Sequence, residues 1–418
     1  MKRTTLLQFC IGIFLSSIAF VGCEAILPDV PEPETLLGEP MPDLLPQQLQ
    51  NHIKGDEEFG RVFGVLDGLG PVFISNSCES CHLGDGKGHP STDIILFNRR
   101  DNLVEGEPDS VFNPMVSVNA SHLQTRAILG YTAEVLPSDI KGFSRINPPA
   151  VTGLGFLEEV TDADILAMAD PEDANGDGVS GVPNYVHPPD FFVPKSSHIP
   201  DQAGRYIGRF TKKAASIDLL QQTASAYLFD MGITSDFFME DLFNELNGNH
   251  TGDDVPDPEV PASVVRNTVF YLRTLKAPER RGADRPEVLA GEKLFLQAGC
   301  GTCHVPTLKT GLSDVEALSN KEFHPYTDLL LHDMGPELDD NFTEGSARTS
   351  EWRTAPLWGI GLAEDSQGGR AFFLHDGRAK SLEEAIDLHG GEGARSRDKY
   401  NELSAAEKQN LIKFLKSL

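Results

Sequence analysis

The sequence predicts a mostly α-helical protein built from two similar units, and three observations carry that prediction. The pattern Cys-x-x-Cys-His occurs twice, at 78–82 and at 300–304. The segment Tyr271-Leu272-Arg273-Thr274-Leu275 is echoed at the end of the chain by Phe414-Leu415-Lys416-Ser417-Leu418. Between the two halves, Lys276 to Arg285 is rich in proline and charge, as a linker would be. Length and composition agree: 418 residues, 39% of them hydrophobic, leave room for two or three domains with cores of their own. With 63 acidic against 35 basic side chains and a net charge of -28, the surface repels phosphate, which excludes a nucleic-acid binder.

Taken in order, the chain opens with Lys2 and Arg3 before an apolar stretch from Leu6 to Val21. That run is too short for a comfortable membrane span and reads as a signal peptide over 1–22. Phe20-Val21-Gly22-Cys23 resembles a bacterial lipobox, in which the Cys receives lipid and becomes the new N-terminus; ordinary cleavage with a buried Cys23 is the plainer alternative. Acyl chains there would hold the protein on a membrane surface. Residues 23–50 carry six prolines among acidic residues and read as a tether.

The first unit spans 51–280. Gly60-Arg61-Val62-Phe63 is expected as a short helix leading into the first motif, and Val265, Val269 and Leu272 form the apolar stripe of a closing helix. The second unit, 286–418, repeats the plan with Gly291-Glu292-Lys293-Leu294-Phe295 before its motif. Its closing helix opens with the capping box Ser404-Ala405-Ala406-Glu407, and Leu411, Phe414, Leu415 and Leu418 share one face. The first unit is longer between motif and closing helix, so it carries a large insertion. Within it, Asp173, Asn175 and Asp177, followed by Gly178, have the spacing of a calcium loop. Asn184 stands where the twelfth-position Glu would be, and a plain Asx/Gly turn is the competing reading.

Of six cysteines, Cys10 falls in the signal and Cys23 at the lipidation site, which leaves Cys78, Cys81, Cys300 and Cys303. Both pairs abut a histidine, the attachment signature of c-type haem. Two thiols one helical turn apart add to the two vinyl groups, and the adjacent imidazole, His82 or His304, turns to the iron. A redox dithiol has no need of the histidine, and a zinc site would use the four cysteines together rather than in pairs over two hundred positions apart. The expected fold is therefore mostly α, with two cytochrome c-like haem domains, the first with a large insertion, and two covalently bound haems.

Three stretches carry a family resemblance: Tyr326-Thr327-Asp328-Leu329-Leu330-Leu331-His332-Asp333-Met334-Gly335, Glu351-Trp352-Arg353-Thr354-Ala355-Pro356-Leu357-Trp358-Gly359 and Leu374-His375-Asp376-Gly377-Arg378-Ala379. Gly68 to Phe73 and Asp230 to Thr234 add to it. From Gly60 to Leu418 the chain resembles the bacterial di-haem oxidoreductases, named as peroxidases or thiol oxidoreductases and distantly related to the di-haem cytochrome c peroxidases. The resemblance implies one haem closed by a second protein ligand, which passes electrons, and another open to hydrogen peroxide. In the relatives the closing ligand follows a Leu-Glu-Glu-Ala helix. Here Leu382-Glu383-Glu384-Ala385 leads to His389, where those peroxidases carry Met, and Met334 is the second candidate.

The first haem lacks a comparable ligand and is the expected peroxidatic site, with Met231 the residue that would close it instead. Glu158 is the candidate acid–base, ahead of His122. Arg353 and Arg378 are candidate partners of the haem propionates. Trp352, Trp358 and His375 are candidates to couple the haems, with core packing as the bland alternative. The function expected is reduction of hydrogen peroxide with electrons from a small cytochrome or other redox protein. It would take place on the periplasmic side of a bacterial membrane, the outer membrane favoured by Glu24 after Cys23. The rival readings are a non-catalytic electron carrier and an iron-uptake accessory lipoprotein, each with both irons six-coordinate. Thiol oxidation is disfavoured because haem consumes the remaining cysteines.

Overall fold

The computed structural model describes residues 35–97, 122–136, 142–242 and 252–418. The signal peptide and Cys23 lie outside the described residues. Among the described residues ten α-helices run in chain order: α1 Pro46–Phe59, α2 Leu154–Glu158, α3 Asp162–Met168, α4 Leu219–Met231, α5 Ala262–Thr274, α6 Pro286–Ala298, α7 Ala363–Ser366, α8 Leu382–Asp387, α9 Ala394–Glu402 and α10 Ala405–Ser417. Sheet is sparse among the described residues, being five antiparallel two-stranded pairs of two to four residues a strand. The chain is thus helix-rich. No described helix is long and apolar enough to cross a membrane.

Two helix crossings organise the core, and they are built alike. Helix α1 packs on α5, and α6 packs on α10. Both crossings are close because a glycine stands at each. A Cβ on Gly55 would run into the Asn267 carbonyl and the Tyr271 Cβ, and one on Gly291 into the Asn410 carbonyl and the Phe414 Cβ. Four residues beyond each glycine a phenylalanine touches the aromatic residue of the crossing helix. The centroids are 5.3 Å apart for Phe59 and Tyr271, and 5.2 Å apart for Phe295 and Phe414. The same phenylalanines face the motif histidines, Phe59 to His82 at 6.2 Å and Phe295 to His304 at 6.3 Å.

These pairs correct the expected helix over Gly60–Phe63. Gly60 caps the end of α1, so the counterpart of Gly291 and Phe295 is Gly55 and Phe59, one turn earlier. The C-terminal prediction holds: Ser404 and Glu407 cap α10 reciprocally, and Leu411, Phe414, Leu415 and Leu418 are all buried. Likewise Val265 and Leu272 are buried on α5.

The tether also ends earlier than position 50. Met41 is buried, its amide donates to the Thr274 carbonyl, and α1 has already begun at Pro46. The stretch from Lys276 to Arg285 is not free either, since the Lys276 amide donates to the Glu39 carbonyl and the Arg281 amide to that of Ser417. Helix α4 packs against α5 and brings Tyr227 and Met231 into the core.

Candidate functional site

Both Cys-x-x-Cys-His motifs open into one cavity of about 940 Å³. Its walls are mainly apolar, with Phe59, Leu157, Phe210, Leu272, Leu382 and Leu411 among them. The local fold aims each histidine in the same way. His82 follows the single turn Cys78–Cys81, and its Nδ1 donates to the Pro149 carbonyl at 2.8 Å. His304 follows a 3₁₀ turn at Cys300–Thr302, and its Nδ1 donates to the Tyr326 carbonyl at 3.1 Å. With Nδ1 committed as a donor, Nε2 carries the lone pair of a neutral ring. Burial keeps both rings neutral, pushing His82 and His304 down to about 4.

His389 presents itself identically, because its Nδ1 donates to the Ala385 carbonyl at 2.7 Å and burial lowers its pKa. The Ser381 hydroxyl caps α8, which ends two residues before His389 and so places it. The rings of His304 and His389 have centroids 6.5 Å apart. Imidazole binds a metal at roughly 2.0–2.1 Å, and the ring centroid lies about 1.1 Å behind the nitrogen. Two imidazoles on opposite sides of one ion therefore have centroids roughly 6.3 Å apart. The gap between these rings accordingly fits one iron. Among the described residues no imidazole faces His82 in this manner.

The four thiols fit thioether formation better than redox exchange. Burial pushes Cys78 up to about 12 and Cys300 to about 11, and raises Cys81 and Cys303, whereas exchange-active dithiols need lowered values. Cations complete the fit. Arg353 sits in the strand Glu351–Arg353, which pairs with Leu331–Asp333 and turns its guanidinium to the cavity. Its Nε donates to the Thr211 carbonyl, and burial lowers it to about 10, with no carboxylate ion pair among the described residues. Lys212 lines the same wall, lowered by burial to about 8. Two desolvated cations short of anions suit the carboxylates of a porphyrin.

Other expected site residues lie elsewhere. Glu158 does not line the cavity. Its Oε1 accepts from the Leu219 amide, and its Oε2 forms ion pairs with Arg273 Nε at 2.8 Å and Lys195 at 3.7 Å, so it caps α4 and closes a buried ion cluster. Arg378 is spent on Asp376 and the Glu337 carbonyl at the surface, the ordinary ion pair, because a half-exposed guanidinium takes the nearest carboxylate.

Met334 lines the cavity but packs with Leu338, Phe342 and Trp352 in the core. In the Asp-rich loop, Asn175 Oδ1 accepts from the Asp177 amide and Asp177 from the Val179 amide, the hydrogen bonds of Asx turns, while Asp173 accepts from the Gly178 amide five positions on. Asn184 is fully buried away from it, donating to the Lys213 and Glu344 carbonyls and accepting from Ser346.

Trp352 and His375 both line the cavity and stack at 3.7 Å with planes 9° apart, beneath the Lys213 ammonium. Trp358 lines it separately and touches Phe323.

Sequence reasoning missed Lys212, the carboxyls of Asp230 and Glu344, and the role of His332. Asp230 and Glu344 line the cavity, and burial pushes each up to about 7. His332 is clamped between Asp328 at 2.8 Å and Glu392 at 2.7 Å, beside Cys303. Burial alone would lower it, but hydrogen bonds to Asp328, Cys303 and Glu392 push it up to about 12. No spacing or periodicity marks these positions. His332 and Asp230 sit in stretches that carry the resemblance, Lys212 and Glu344 in none.

No curated protein matches the chain. Among solved structures it is similar to the diheme peroxidase BthA from Burkholderia thailandensis, at 15% identity and a TM-score of 0.39, with 91% of this chain and 87% of that one covered. It is also similar to hydrazine synthase from Kuenenia stuttgartiensis, at 15% identity and a TM-score of 0.36, with 94% and 98% covered. The family described as "Di-haem oxidoreductase, putative peroxidase" matches residues 104–418, most of the chain, beginning after the first Cys-x-x-Cys-His. The chain therefore belongs to the di-haem oxidoreductase family.

Proposed function

We propose that the protein reduces hydrogen peroxide to water at the haem held by His82, with electrons relayed through a second haem held between His304 and His389. The reaction balances as one peroxide, two electrons and two protons giving two waters, the electrons coming from a small cytochrome or other redox protein. The carrying observation is axial asymmetry: His389 faces His304 at 6.5 Å, and no described imidazole faces His82. Haem supplies the one-electron storage and the oxygen–oxygen reduction.

The chain's own residues supply the rest. Asp230 neighbours the first motif, its carbonyl accepting from the Ile74 and Ser75 amides, and its carboxyl lies 3.9 Å from His122 Nε2. With its value near 7, Asp230 can take a proton at Oδ1 and return it, the role first read for Glu158. Arg353 and Lys212 hold propionates, and the Trp352–His375 stack lies on the cavity wall where it can couple the two haems. Four thioethers, at Cys78, Cys81, Cys300 and Cys303, make the attachment covalent. Each crossed helix pair with its motif is the frame of one cytochrome c-like unit, the first carrying the insertion. Export to the periplasmic side, with a lipid on Cys23, completes the reading.

A second reading rests on Met231, which is buried and lines the cavity: as a ligand it would close the first iron and leave an electron carrier. Spectra of the oxidised and half-reduced protein, with a steady-state assay on a cytochrome donor, separate the two. One high-spin iron that binds cyanide, together with turnover of peroxide, supports the enzyme. Two low-spin irons inert to cyanide, and no turnover in any redox state, refute it.

A further inference from the structure

Away from the haem cavity, beyond the end of α4, three carboxylates converge. Asp241, Asp253 and Glu259 each place one oxygen within 4.8 Å of the others. Each has its other oxygen engaged by the chain. Asp253 Oδ1 accepts from the Val255 amide at 2.8 Å, Glu259 Oε2 accepts from the amide and hydroxyl of Thr234, and Asp241 takes a backbone hydrogen bond from Asp253. The remaining oxygens, Asp241 Oδ1, Asp253 Oδ2 and Glu259 Oε1, are buried and have no partner. Asp253 as a whole is 4% exposed. The charges acting on Asp241 are those of Asp257, Asp253 and Glu259, all negative.

Three clustered carboxylates, each with a desolvated oxygen that has no donor, are rare in folded chains, because each such oxygen forfeits its hydration for nothing. We propose that Asp241, Asp253 and Glu259 bind a calcium ion. An all-oxygen set selects a hard cation over zinc or copper. Oxygens within 4.8 Å of one another can share one ion, and three carboxylates suit the large all-oxygen shell of calcium, whereas magnesium keeps most of its waters and takes one or two carboxylates. Water and backbone carbonyls complete the shell.

The position gives the ion a task. Glu259 lies directly against Gly68 in the loop before the first motif, where a side chain would collide with it. Thr234, which holds Glu259, follows α4, and Glu259 itself precedes α5. A calcium ion there pins the exit of α4, the entry of α5 and the loop before the motif to one another. The site is separate from the Asp173 loop, whose oxygens close turns of their own.

The test uses the haem-loaded full chain, stripped with a chelator and titrated with calcium chloride, reading bound calcium by equilibrium dialysis and the melting temperature by circular dichroism. The wild type should take up calcium in preference to magnesium and melt higher with it. Asp253→Asn and Glu259→Gln remove charge without volume. Each should bind one calcium fewer per chain, with affinity at that site down at least tenfold. Stripped of calcium, each should melt above the stripped wild type, because repulsion is relieved. Asp173→Asn should behave as wild type in all three respects. Equal calcium uptake by wild type and the two variants overturns the proposal. So does a stripped variant that melts below the stripped wild type, or a wild type indifferent to calcium.

Discussion

Removing the imidazole of His389 gives the sharpest test of the axial arrangement. The ring faces His304 at 6.5 Å and makes a single protein hydrogen bond, to the Ala385 carbonyl. In His389→Ala that bond is lost, at about 1 kcal/mol, together with some packing against Gly393 and Met334, a cost a domain of this size tolerates. The variant should therefore fold and retain both porphyrins by mass. In the oxidised wild type one of two irons should be low-spin, and one cyanide should bind per chain. In the variant both irons have a free face, so cyanide uptake rises to two and the high-spin signal doubles; added imidazole restores one low-spin iron. His389→Met should stay low-spin and raise the midpoint of that haem, since a thioether favours the reduced iron. An unchanged low-spin fraction in His389→Ala, with cyanide still at one, would refute the reasoning and pass the ligand role to Met334 on the same wall.

Three further outcomes are expected. Arg353→Met removes a buried cation from the cavity, so a redox titration should show one haem midpoint lowered, each 59 mV meaning a tenfold shift in its equilibrium; unchanged midpoints would separate Arg353 from the haems. His332 carries a folded pKa pushed up to about 12, against about 6.5 unfolded. Its contribution is complete below pH 6.5 and is lost as pH rises toward 12. The stability advantage of wild type over His332→Gln should shrink from pH 6 to pH 9, by at most about 1.4 kcal/mol per pH unit in denaturant melts, and a flat difference would remove the imidazolium. Gly55→Ala and Gly291→Ala each force a methyl into a facing carbonyl, at a cost of about 1–3 kcal/mol. Each should loosen the haem nearest its own crossing, read as loss of that haem's histidine-bound spectrum at a higher pH than in wild type on acid titration, and equal stability with wild type would deny the close approach.

What the sequence made legible was whatever repeats or caps. The two motifs, the closing helices α5 and α10 and the Ser404–Glu407 cap stand where periodicity put them, because spacing along a helix decides which face is buried. His389 was reached through a resemblance and not through any pattern of its own. The misplaced elements share a cause. Gly60–Phe63 has the same letters as a helix leading into a motif, yet Gly55 is the residue that meets the facing backbone, and only the crossing tells them apart. Glu158 looked free beside Glu159, but Arg273 and Lys195 arrive from distant segments to neutralise both. Lys212, Asp230 and Glu344 share nothing in sequence and become neighbours of the cavity only through long-range packing.

The two crossings are so alike that they cannot be the source of functional asymmetry. Each has its glycine, its phenylalanine toward the motif histidine and an aromatic residue on the closing helix, with matching separations to within about 0.1 Å. A difference between the two irons must then come from what lies opposite the histidines. At His304 that is α8, six residues ended by a turn that delivers His389. The cavity that His82 enters is also lined by Phe210, Lys212 and the face of α4 bearing Asp230. On the proposed reading these belong to the insertion, which would then distinguish one iron from the other, and Asp241, Asp253 and Glu259 lie between α4 and α5 where it would end. If calcium holds that junction, stripping it should alter the spectrum of the His82 haem while leaving that of the His304–His389 haem as it was. Equal change at both would show that the insertion does not set the first iron apart.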